Sequence, residues 1–162
     1  MSESLGAARL AIVEDDAEFR EQILQPILSR AGFEVTAMGS ALELYRAMLA
    51  GSFDLVLLDV ELPDDNGFSI ASHLRGLSPS IGIVMLTGRG SGADRMRGLD
   101  AGVDAYLSKP VEMQELVATL RNLANRIARE RAEAGSDAAA GYPAGKGEDG
   151  AAPGWHLCEQ GW

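Results

Sequence analysis

Five side chains stand where an apolar run gives way to a polar loop. Glu14 and Asp15 follow RLAIV, Asp59 follows FDLVLL, Thr87 follows IVML and Lys109 lies in YLSKP. Carboxylates gathered within several ångströms repel one another unless a divalent cation sits among them, and an oxygen-only donor set with room for water suits Mg2+. A lysine supplies a point charge able to hold a phosphoryl oxygen, and a threonine hydroxyl can donate to another. Asp59 is then the candidate nucleophile, of the kind that forms an aspartyl phosphate, with metal and Lys109 offsetting the charge that builds on the transferring group.

Bringing these residues together requires strands that all end on one side. The hydrophobic pattern predicts β1 at residues 9–13, and then α1 at 16–30, whose Phe19, Ile23, Leu24, Ile27 and Leu28 recur at helical spacing. Pro26 removes a backbone donor inside α1 and should kink it, and Gly32 stops it. β2 is expected at 33–37 and α2 at 41–50, opened by a Ser40–Glu43 capping box and ended by Gly51. The near-continuous apolar run at 53–58 reads as a central strand, β3, covered on both faces. There follow α3 at 68–75, β4 at 81–86, α4 at 93–101, a short β5 at 105–107 and a long α5 from 111 to about 131. Five βα units in a row imply an α/β fold, a doubly wound five-stranded parallel sheet, (βα)5 and flavodoxin-like, whose ligands bind at the carboxyl ends of the strands.

The composition narrows the function classes. The 162 residues suit one domain plus an appendage, here a domain over 8–131. With 24 acidic and 14 basic residues, the net charge of -10 repels phosphate backbones and anionic membranes, so neither nucleic acid nor membrane is an expected direct partner. A single cysteine, Cys158, permits no intrachain disulfide, and with two histidines it makes no structural zinc site of the usual spacing. The expected location is the cytoplasm, since the first residues lack a basic and apolar leader. Residues 132–154 are Gly-, Ala- and Pro-rich and read as a flexible linker.

In order and interval, the acidic pair Glu14–Asp15, the run DVELPDDNG, the LTG triplet and YLSKP resemble the receiver domain of two-component response regulators, the CheY-like fold. The resemblance covers residues 8 to about 131 and implies that Asp59 accepts a phosphoryl group from a sensor histidine kinase. It implies that Glu14, Asp15, Asp59 and the Glu61 backbone carbonyl bind Mg2+, and that Thr87 and Lys109 contact the phosphoryl group while Gly88 leaves space for it. The Lys109–Pro110 bond resembles the family's cis peptide. By the same resemblance Tyr106 turns from exposed to buried as Thr87 is drawn inward, which changes the face made by α4, β5 and α5. The protein then turns over no external substrate.

The run DRMRGLDAGVDAYLSKPVEMQELVATLRNL is similar to receivers of OmpR-type winged-helix transcription regulators, which dimerise through α4, β5 and α5. Arg95 with Glu115 and Asp104 with Arg126 are available as bridges of such a homodimer. Ala105 and Thr119 depart from the pattern together, removing an Asp–Arg pair. The closing GWHLCEQGW resembles the opening strand of a winged-helix domain, so residues 155–162 are expected to begin an output domain that carries DNA binding and transcription control. Glu61 and Arg89, each two residues beyond a site residue, are expected to pair at its mouth and obstruct water.

Asp16 is expected to cap α1, His73 to flank a helix without ligand duty, and the arginines late in α5 to be solvated. A haloacid-dehalogenase-type phosphohydrolase would carry its nucleophile in a D-x-D pair after the first strand, where this chain has EDD. A flavodoxin-like cofactor binder would need a hydroxyl- and glycine-rich loop after β1, and a pseudo-receiver would have gaps among the positions filled here.

Overall fold

The computed structural model describes residues 7–88 and 92–140, with 92–95, 98 and 135–140 described by their backbone. Strands β1 (Arg9–Val13), β2 (Glu34–Met38), β3 (Leu55–Leu58), β4 (Gly82–Thr87) and β5 (Ala105–Ser108) form one sheet in the order β2-β1-β3-β4-β5. Every neighbouring pair is parallel. The helices are α1 (Gln25–Arg30), α2 (Ala41–Ala50), α3 (Gly67–Leu77), α4 (Gly92–Ala101) and α5 (Met113–Ala140).

Period-two alternation divides the apolar side chains between two cores. Leu10 and Ile12 of β1, Leu55 and Leu57 of β3, and Val84 and Leu86 of β4 pack with Leu28 of α1 and with Leu116, Leu120, Leu123 and Ile127 of α5. Their neighbours Ala11, Val13, Val56, Leu58, Ile83 and Met85 point the other way, to Leu44 of α2 and Phe68, Ile70, Ala71 and Leu74 of α3. The sheet is thus doubly wound, with β3 central and all four of its residues buried. At Gly82 an added Cβ would come within 2.7 Å of Leu55 Cδ2 and 2.8 Å of Ile127 Cδ1, so the bare backbone of β4 lets α5 lie close.

The expected helix over 16–30 is not uniform. Residues Phe19–Leu24 form a π-helical turn that runs directly into α1, with the Gln25 amide donating to the Arg20 carbonyl five residues back. Pro26 explains the departure: it has no N–H for the carbonyl of Gln22, and the preceding turn widens. α2 opens on the expected capping box, Glu43 N donating to Ser40 Oγ at 3.2 Å and Gly39 N to Glu43 Oε1 at 3.3 Å. A longer-range cap accompanies it, because the Asp64 carboxylate accepts from Ala41 N at 2.9 Å and Leu42 N at 3.0 Å. Asn66 Oδ1 accepts from Phe68 N and opens α3.

Near the close of α3, Arg75 donates to the carbonyls of Gly102, Pro79 and Ile81 and pairs with Asp104 at 2.8 Å. α5 extends through Ala140, so residues 132–140, expected as linker, continue the helix. The run ERAEAGSDAAA is rich in strong helix formers, and its one glycine costs only about 1 kcal/mol. The chain divides into a compact unit Met1–Ile127 and a second unit Ala128–Trp162, of which residues 128–140 are described. The rest of the expected linker and residues 155–162 lie outside the described residues.

Candidate functional site

Adjacent parallel strands end in step, and their last residues set the site. Val13 is in register with Leu58, Leu58 with Met85 and Thr87 with Ser108, so the residues that follow converge at one end of the sheet. The backbone continues this order: Glu14 N donates to Met38 O, Asp59 N to Val13 O and Lys109 N to Thr87 O. Glu14 and Asp59 are buried, at 3% and 7% exposure, although both are carboxylates. Asp15 is exposed beside them.

Carboxylate oxygens of Glu14, Asp15 and Asp59 all lie within 4.8 Å of one another. Lys109 Nζ is 2.8 Å from Glu14 Oε1 and 3.5 Å from Asp59 Oδ2. Asp59 Oδ1 accepts from the Glu61 amide at 3.2 Å. Burial raises the pKa of Glu14, with Asp59 adding to the rise and the Lys109 hydrogen bond opposing it. Burial acts to lower that of Lys109, but its hydrogen bond to Glu14 and the charges of Asp59 and Glu14 outweigh it and the net shift is upward. One ammonium thus faces more than one carboxylate, and the oxygen-only donor set with two buried members fits a hard divalent cation.

The chain matches the response regulator receiver domain over residues 10–121. It belongs to that family. Among curated relatives it is 40% identical over 118 residues to the TorCAD operon transcriptional regulatory protein TorR of Escherichia coli (strain K12), a match covering 73% of this chain and 50% of TorR. It is 38% identical over 125 residues to the transcriptional regulatory protein GltR of Pseudomonas aeruginosa, covering 76% of this chain and 51% of GltR. The chain therefore spans about half the length of these relatives. Among solved structures, a CheY-like receiver domain protein from Methanospirillum hungatei JF-1 superposes with a TM-score of 0.73 at 30% identity, covering 77% of this chain and 99% of that one.

Within this receiver domain the other expected site residues fall as follows. Thr87 is 1% exposed at the end of β4, and nothing lies within 4 Å of a Cβ placed on Gly88. Tyr106 is buried at 7% and packs with the α2 and α3 core. The Lys109–Pro110 bond is cis. Glu61 is exposed and bridges to Asn66, while Arg89 lies outside the described residues. Asp104 and Arg126 pair within the chain at 3.0 Å, and Asp104 Oδ2 accepts from Arg75 Nη2 and Ile83 N. Glu115 lies in the first turn of α5, and its carbonyl accepts from the Thr119 hydroxyl at 2.9 Å. Arg95 is on α4, and its side chain is outside the described set.

Three contributors escaped the reading of the sequence. Arg20 Nη1 donates to the Glu14 carbonyl at 2.6 Å, Phe19 faces Lys109, and Asp64 ties the loop after Asp59 to α2. Only the unusual acidity of the PDDN loop gave any hint of the last. His73 packs edge-on to Tyr45, and Asp16 caps the turn that follows it through Phe19 N. His156 and Cys158 lie outside the described residues, which include no helix long and apolar enough to cross a membrane.

Proposed function

We propose that this receiver accepts a phosphoryl group from a sensor histidine kinase onto Asp59, in a Mg2+-dependent reaction in the cytoplasm. The observation that carries the reading is the Asp59 carboxylate set between the Lys109 ammonium and the oxygens of Glu14 and Asp15. Glu14, Asp15 and Asp59, with the Glu61 carbonyl, would hold Mg2+, which supplies positive charge against the phosphoryl oxygens. An Asp59 oxygen forms the new bond to phosphorus as the bond from phosphorus to the kinase imidazole nitrogen breaks. The leaving nitrogen keeps the electron pair and takes up a proton. Lys109 transfers a hydrogen bond from Glu14 or Asp59 to a phosphoryl oxygen, and the Thr87 hydroxyl donates to another, beside the space that Gly88 leaves open. No external substrate is turned over.

The signal then passes to the face made by α4, β5 and α5 through Thr87 and Tyr106, favouring a homodimer and controlling transcription through an output domain outside the described residues. Arg95, Glu115, Asp104 and Arg126 are the proposed polar contacts of that face. Intact mass with and without acetyl phosphate and Mg2+, repeated on Asp59→Ala and followed by sizing, tests the reading. One phosphoryl group gained only when Mg2+ and Asp59 are both present is the expected result. A folded protein that takes up none overturns it.

A further inference from the structure

Lys109 meets a third neighbour besides the two carboxylates. Its Nζ lies 5.0 Å from the centroid of the Phe19 ring, within the range of cation–π attraction. Phe19, Lys109, Asp16, Pro110 and Val111 together line an open groove beside the acidic cluster. The ammonium is thus bounded by carboxylates on its inner side and by an aromatic face along the groove, with 27% of its side chain exposed.

The position of that ring follows from the local backbone. Phe19 N donates to Asp16 Oδ1 at 3.1 Å, and Arg20 N donates to Asp16 O at 2.9 Å while its guanidinium holds the Glu14 carbonyl. Phe19 and Arg20 open the π turn Phe19–Leu24, which inserts an extra residue before α1. One added residue rotates the upstream side chains by about 100° relative to a regular helix, so Phe19, which still packs against the core that buries Leu24 and Leu28, can also turn its ring to Lys109. Functional sites are where such turns concentrate.

We propose that Phe19 is a positioning residue for Lys109, its ring face fixing where the ammonium stands between Glu14 and Asp59. A ring attracts a cation without accepting its N–H bonds in the way a carboxylate does. The donors of Lys109 therefore stay available to an arriving phosphoryl oxygen, while the flexible four-carbon stem is held in place. This inference rests on the phosphoacceptor reading above and deepens it.

Lys146 is the only other lysine of the chain, so the ε-methylene signals of Lys109 can be resolved by NMR. In the parent protein the ring current of Phe19 should shift them upfield. Phe19→Leu should abolish that shift and slow the maximal rate of phosphorylation by acetyl phosphate about 5- to 20-fold, with the half-saturating donor concentration within about 2-fold. Phe19→Tyr, which keeps the ring face, should restore both. An unshifted Lys109 in the parent, a Phe19→Leu protein of parental rate, or a folded Phe19→Tyr protein as slow as Phe19→Leu overturns the proposal. A parent that takes up no phosphoryl group overturns the phosphoacceptor reading and the kinetic role with it, while the ring-current shift still reports the contact separately.

Discussion

Glu14 is buried, has Lys109 as its partner and carries Asp59 as a like-charged neighbour, and the balance, led by burial, raises its pKa above the ordinary value. In the metal-free protein its ionisation therefore opposes folding. The native state holds the Glu14 proton more tightly than the unfolded chain, so stability falls as pH rises from the ordinary value of 4.5 through the raised native one. Glu14→Gln, which mimics the protonated form, should melt higher than the parent in EDTA at neutral pH. That advantage should close as pH is lowered to 4.5, and thermal melts at stepped pH check it. In Mg2+ the order should reverse, because the same substitution removes a metal ligand and with it the ligand-linked stabilisation. The carboxylate that burdens the empty fold is the one the bound cation would use.

Elements are joined at this site by contacts that no single element contains. Asp64 spans from the loop after β3 to the first two amides of α2, and those amides hold its carboxyl below the usual carboxylate range. A depressed native pKa contributes stability that is present above the ordinary value of 3.8 and is lost as pH falls through the depressed one. Asp64→Ala should therefore melt lower than the parent at neutral pH, and the difference should vanish in strong acid. The same variant should loosen the loop that carries the Glu61 amide, which amide exchange at Glu61 and Leu62 would report as lost protection.

How far the elements were legible depends on the range of the forces that set them. The apolar runs of β1 and β3 and the Ser40–Glu43 cap are local, and the strands, the sheet and α2 followed from them. Pro26 announced a disturbance in α1, but its relief as a π turn depends on Phe19 and Arg20 finding partners across the site. The overrun of α5 past residue 131 reflects alanine-rich propensity that the Gly and Asp of that stretch concealed. Asp59, Glu14, Asp15, Thr87 and Lys109 were visible because each interrupts a strand end. Arg20 and Asp64 were not, since their partners are backbone groups that no side-chain pattern encodes.

Across the receiver as a whole, Arg75 is a wide connector. Its guanidinium meets three backbone carbonyls and Asp104, and Asp104 in turn accepts from Ile83 of β4 and pairs with Arg126 of α5. Arg75→Ala would strand these acceptors, and a loss of about 2–4 kcal/mol in urea unfolding is expected. The same connections bear on the proposed homodimer. If Asp104 and Arg126 bridge two copies they first leave one another, so that exchange brings little net gain. Apolar contact must supply the difference, and Met96 and Leu99 of α4 stand 60% and 63% exposed for it. Dimerisation of the phosphorylated protein should vary little between low and high salt, and Leu99→Ala should weaken it, as sedimentation at both ionic strengths would reveal.

The parallel sheet has one more consequence, for anyone who wishes to alter the molecule. Every residue assigned to the chemistry lies at the carboxyl ends of the strands, while the connection between α2 and β3, residues 51–54, lies at the opposite pole. β3, four residues long, separates the two by a rise of about 13 Å. A peptide tag or fluorescent reporter spliced at the exposed Ser52 would be carried on the far side of the sheet, leaving the phosphoryl site undisturbed. The winding order has divided the molecule into a working end and a handle.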